Sequence, residues 1–149
     1  MNARTSPPIA ARARPATRRT VTVLWILLLA EAALGLFMAI YLSDVAGDYR
    51  SALGDAGIER EEPTRFAAGG AFVFAIAAFI ASNGARRHRM WSWTLAAVLQ
   101  LILAIVAGIA LFAAGGEGSP AAYLLAFALA AATMILLSTA PVRRALGQE

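Results

Sequence analysis

Four long apolar runs constrain this chain more than any other feature. They lie at 21–42, 66–83, 91–114 and 121–140, parted by stretches that hold nearly all the charge. At 1.5 Å per residue the 22 residues of the first run reach about 33 Å, enough to cross a hydrocarbon core of roughly 30 Å. Of the 149 residues, 60% are hydrophobic and only 15% are charged. A soluble domain runs nearer half apolar and about a quarter charged. The pattern predicts an all-α integral membrane protein.

The polar stretches orient it. Residues 1–20 carry Arg and Pro with few large apolar groups, which predicts a disordered basic arm. Residues 43–65 read as an acidic outer loop in which Val45, Tyr49, Ala52 and Ala56 recur at helical spacing, so a short helix lying on the membrane is expected there. "ARRHRM" is a basic turn, "GGEGSP" a tight turn before Pro120, and 141–149 a short tail opened by Pro141. The first run exceeds the 7–15 residues usual for a signal peptide, so it reads as a retained anchor. All 13 basic residues are Arg. Ten fall in the arm, the second turn and the tail, and three (Arg50, Arg60, Arg65) fall on the other side. The positive-inside rule then predicts both termini in the cytoplasm, with the plasma (inner) membrane as location. Trp25, Trp91 and Trp93 at one set of ends and Tyr41 and Tyr123 at the other suit an interfacial belt. The expected fold is a transmembrane antiparallel four-helix bundle, up-down-up-down.

In lipid, helices associate through close backbone approach and interhelical hydrogen bonds. Small residues on one face therefore mark candidate contacts: Gly35 in the first run, Gly70 in the second, Ala104 and Gly108 in the third. The polar residues are more telling. Glu31 stands inside "LLLAEAALGLF", near the middle of its run. Gln100 is nine residues into the third run, and Thr133 is seven from the end of the fourth. By rise per residue all three share a depth, which predicts a Glu31–Gln100–Thr133 cluster inside the bundle. Insertion does not discriminate between a functional and a structural acid, because the helix can carry it without any function being required. A centred carboxyl costs about 2.5–3.5 kcal/mol. The twelve Val, Leu, Ile and Phe residues of that run return roughly 4–7 kcal/mol at about 0.3–0.6 each.

Other chemistry is sparse. With no cysteine, disulfides and thiolate sites are excluded. His88 stands among Arg residues with no carboxylate pair, so no metal or cofactor is expected. The six acids of 43–65 lack the ordered alternation of an EF-hand. Phosphate-loop, zinc-protease and nucleophile-elbow motifs are absent, so no enzyme is expected. Arg18, Arg19, Arg86, Arg87, Arg89, Arg143 and Arg144 border apolar runs, which suits anionic lipid headgroups at the cytoplasmic face and not nucleic acid.

Two resemblances carry expectations. "LLLAEAALGLF", "RRHRMWSWTLAAVLQLILAIVAGIA" and "LLSTAPVRRAL" resemble small actinobacterial four-span membrane proteins of unassigned function, over most of 20–146. "LAEAALG" is also similar to the first-span segment of small multidrug resistance exporters, whose membrane-embedded Glu exchanges protons for drugs. That resemblance implies the same role for Glu31. The long 43–65 stretch and the lack of a Trp-Gly signature in the third run depart from that family. The leading expectation is a non-enzymatic membrane protein with a structural or accessory role through helix contacts, as a homo-oligomer or with a membrane partner. The alternative is a proton-coupled small-molecule transporter centred on Glu31.

Overall fold

A computed structural model describes residues 15–113 and 120–148. The 1–14 part of the predicted arm and most of the "GGEGSP" turn lie outside the described residues. The described residues form five helices: α1 (Pro15–Leu53), α2 (Asp55–Arg86), α3 (Met90–Ala113), α4 (Pro120–Ser138) and α5 (Ala140–Ala145).

The four-span bundle expected from the sequence is not what this structure shows. Among the described residues three helices are long and apolar enough to cross a membrane: Arg18–Leu53, Glu61–Arg86 and Met90–Ile109. The apolar stretch of α4, Tyr123–Ser138, is shorter. Its far end is cut by Pro141, which has no N–H for the carbonyl of Leu137 and whose ring crowds that carbonyl. Thr139 accordingly leaves the helix, at φ −70° and ψ 139°, and Pro141 becomes a first-turn residue of α5. The tail is thus partly helical.

The second correction concerns 43–65. The stretch is not a loop. α1 runs on to Leu53, the chain reverses at Gly54, and α2 starts at Asp55. Gly54 has φ 56° and ψ −132°, a conformation that side chains strongly disfavour. The 39 residues of α1 span about 58 Å, far more than a bilayer core. α1 and α2 therefore form an antiparallel hairpin whose tip projects beyond any membrane that α1 crosses. Residues 15–20, part of the predicted arm, are the first turns of α1.

α2 turns into α3 through a tight helix-ending motif. Arg89 N–H reaches the Gly84 carbonyl at 3.0 Å and His88 N–H reaches Ala85 at 3.1 Å. This places His88 at φ 52°, where glycine is usual. Gly84 is needed here, since a Cβ would sit 2.7 Å from Ser92 Cβ. α3 and α4 pack side by side, and α5 folds back on α1 and α4. Outward-facing Val73, Ile109 and Ile135 are exposed, as lipid-contacting residues of a multi-pass protein are.

The large side chains of the core gather at one end. Leu24, Leu28, Ala78, Ala81, Ala85, Ala96, Leu99, Leu137, Val142 and Leu146 form one buried cluster. It lies between Glu31 and the end of the molecule where α2 turns into α3.

Candidate functional site

Three helices deliver one polar group each to the upper edge of this core. Glu31, on α1, is 2% exposed, and Gln100 on α3 and Thr133 on α4 are both fully buried. Gln100 Nε2 donates to Glu31 Oε2 at 2.6 Å. Thr133 Oγ1 donates to Glu31 Oε1 at 2.8 Å. The carboxyl group thus ties α1 to both members of the α3–α4 pair. Each residue owes its placement to helical spacing. Leu28 and Leu24, one and two turns from Glu31, are fully buried, and so are Ala130 and, nearly, Leu137 beside Thr133.

Gln100 is only half used. Its Oε1 is buried and accepts no hydrogen bond among the described residues. A buried acceptor without a donor costs about 1–3 kcal/mol. Rotating the amide by 180° exchanges Nε2 and Oε1 without changing the shape of the side chain. In that orientation Oε1 accepts from a protonated Glu31. The same three side chains therefore serve a carboxylate, through two donors, or a carboxylic acid, through one acceptor and the Thr133 hydroxyl.

The cluster also marks a packing boundary. On the stripe of α1 that carries Glu31, Leu24 and Leu28 are 0% exposed on one side and Ala39 is 6% exposed on the other, while Leu34 and Met38 on its flank are 41% and 38% exposed. Beyond Gln100, Leu103, Ala104, Gly108 and Leu111 are half-buried, and Ala107 is 3% exposed. Large buried side chains lie from Glu31 toward the α2–α3 turn, whereas toward the hairpin tip α1 and α2 stay packed through small residues, with Gly35, Ala39, Ala46, Ala68 and Ala75 all buried.

The remaining sequence candidates divide. Gly35 is a true close contact, since a Cβ there would lie 3.2 Å from Ala75 Cβ and 3.3 Å from the Ala71 carbonyl. Gly70 and Gly108 differ from Gly35. Nothing lies within 4 Å of a Cβ at either position, so neither mediates a helix contact within the described chain. Gly70 is exposed, and Gly108 is half-buried beside the buried Ala107. Ala104 is half-buried in the same region. Arg18, Arg19, Arg86, Arg87 and Arg89 are exposed, with Arg143 half-buried and Arg144 exposed on α5. Arg86 lies over the Trp25 ring at 5.6 Å, which joins the end of α2 to α1.

Glu61 escapes the sequence reading. It is 6% exposed in the hairpin extension, 2.8 Å from Arg65 and 3.7 Å from Arg50 across the helix pair. Its acid neighbours Glu59 and Glu62 are exposed. The i,i+4 spacing to Arg65 is the one signal in the sequence, and burial comes only from the continuity of α1.

The chain matches no family model, no curated protein and no solved structure. What fold and site define is a class: a small multi-helix, multi-pass membrane protein with buried, interacting acidic residues.

Proposed function

We propose that this is a proton-coupled membrane transporter for a small solute, with Glu31 as the proton-carrying group. The observation that carries the reading is the fully buried carboxyl held by two donors, beside an amide oxygen that has no donor among the described residues. A purely structural tie needs one satisfied arrangement. This cluster has partners for both charge states, which suits a group that gains and loses a proton in place. Intramembrane carboxylates are also costly to retain, which favours functional use.

The uneven core supports an alternating route. Glu31 lies where the leucine-rich end of the core gives way to a half packed by small residues, and a solute or proton reaching it from the hairpin side meets no packed leucine layer. A second copy packed against α1 at Leu34 and Met38 would complete the wall of that half, so a homo-oligomer is the expected working unit. The end bearing Arg86, Arg87, Arg89 and the tail faces the cytoplasm on this reading, by the positive-inside rule, and its arginines meet anionic headgroups of the plasma membrane.

The test is proton release. Purified protein in liposomes is equilibrated in acid, then stepped to alkaline pH with a soluble dye as reporter. Wild type should release a proton that Glu31→Gln does not. Equal release from both proteins would return Glu31 to a structural role.

A further inference from the structure

We propose that α5 is a removable plug that closes Glu31 off from the arginine-bearing end, and that its release opens the second half of the route. The proposal rests on the proton-carrying reading of Glu31.

Between Glu31 and that end lies the sealed half of the bundle. Leu24, Leu28, Ala81 and Leu137 are all at most 1% exposed. A proton leaving Glu31 in this direction needs one of these layers to part. α1, α2 and α3 are helices of 39, 32 and 24 residues, each with more than one side chain in the buried cluster, so moving any of them would disturb the whole core. α5 is different. It has six residues, and it enters the core through two side chains, Val142 at 0% and Leu146 at 1% exposure. These belong to the same cluster as Leu24, Leu28, Ala81 and Ala85. Withdrawing α5 removes the bottom of the seal and leaves the helices above it paired.

Both ends of α5 are built as joints. Thr139 is extended rather than helical, and it separates α5 from α4. At the other end Gly147 has φ 72°, and a Cβ there would lie 2.8 Å from Met90 Cγ. The tail is held there by the Gln148 N–H to the Arg143 carbonyl at 2.8 Å. A side chain at 147 meets a left-handed backbone and must also displace the exposed Met90 side chain. α5 can swing about Thr139 when the turn at Gly147 is lost.

The labelling measurement reads access rather than transport, so it fails or succeeds independently of the chemistry of Glu31. The chain has no native cysteine. Ala81→Cys places one thiol in the sealed layer, about one turn on the arginine side of Glu31. The labelling rate by a membrane-impermeant methanethiosulfonate is measured in nanodiscs, where both faces are open. Labelling should be slow in the parent. Gly147→Ala should speed it about tenfold, the factor that a left-handed non-glycine residue adds to release of the tail. Deleting residues 140–149 should speed it further. A Met90→Cys/Gly147→Cys pair, made without the Ala81 probe, provides the lock. The two Cβ positions lie within about 4.3 Å, inside disulfide range. Oxidation should trap α5 on the bundle and slow proton release to the arginine side, and reduction should restore it. Gly147→Ala and the deletion labelling no faster than the parent would overturn the plug. So would fast labelling of the parent.

Discussion

Trp93 donates its indole N–H to the backbone carbonyl of Leu137 at 3.0 Å. That carbonyl is the one that Pro141 leaves without a partner, since position 141 has no N–H to return to it. A side chain from the start of α3 therefore completes the end of α4. The bond fixes the depth at which α4 lies against α3, and with it the level at which Thr133 meets Glu31.

Trp93→Phe tests this directly. It keeps the aromatic packing and leaves the Leu137 carbonyl buried without a donor, at a cost of about 1–3 kcal/mol. The expected result is a lower unfolding midpoint in mild detergent, with α4 and α5 gaining hydrogen exchange before α1 and α2. An unchanged midpoint would show that the carbonyl finds another donor and that Trp93 does not set the depth.

Gly35 and the other two glycines give opposite expectations. Gly35→Leu forces a side chain into Ala75 and the Ala71 backbone, and overpacking of this kind costs about 1–3 kcal/mol. Gly70→Ala and Gly108→Ala meet nothing, and should be neutral or stabilise by up to about 1 kcal/mol, because alanine is the better helix former. Thermal unfolding of the three variants in one detergent separates them. A drop for Gly70→Ala or Gly108→Ala would point to a neighbour outside this chain, such as a second copy.

Those glycines show what sequence can and cannot reveal. Depth follows from counting residues along a helix, and that count alone brings Glu31, Gln100 and Thr133 to one level. Facing does not follow as easily. A small-residue stripe is compatible with lipid on one side or a helix on the other, and Gly35 and Gly70 look alike in sequence. The hairpin is hidden for a different reason. Residues 43–65 are polar, and polarity suggests a loop, but a helix that leaves the membrane has no reason to stop where its solvent changes. The signal that remains is Gly54, a glycine at the position where the chain needs φ 56°. α5 is obscured by Pro141, which ends one helix and begins another.

His88 stands in a left-handed conformation that costs a non-glycine residue roughly 1–2 kcal/mol. Its neighbours Arg87 and Arg89 make the backbone bonds that close the turn. His88→Gly should therefore raise stability by up to about 1 kcal/mol, part of the relief being lost to the freer unfolded chain. Thermal unfolding at matched lipid content measures it. A loss of stability instead would mean that the imidazole itself holds the turn.

The last prediction separates holding a proton from holding the helices together. Glu31→Gln keeps the size of the side chain. Its carbonyl oxygen accepts from Gln100 Nε2 in place of Oε2, and its amide donates to Thr133, whose hydroxyl turns from donor to acceptor. All three helices stay joined, so the unfolding midpoint should fall by the equivalent of no more than about 1 kcal/mol. Glu31→Leu removes both joints. Thr133 can turn back to a carbonyl of its own helix, but the Gln100 amide is left buried with neither end satisfied, at about 1–3 kcal/mol. The order of stability should be wild type, then Glu31→Gln close behind, then Glu31→Leu. The order of proton release should differ, with wild type alone active and both variants silent. Stability and proton release are then read on the same three proteins. If Glu31→Gln proves as unstable as Glu31→Leu, the hydrogen-bond exchange at Thr133 does not occur. A silent Glu31→Gln then says nothing about the proton, and the case for a titrating Glu31 rests on the infrared carboxyl band of wild type, which should appear and vanish with pH.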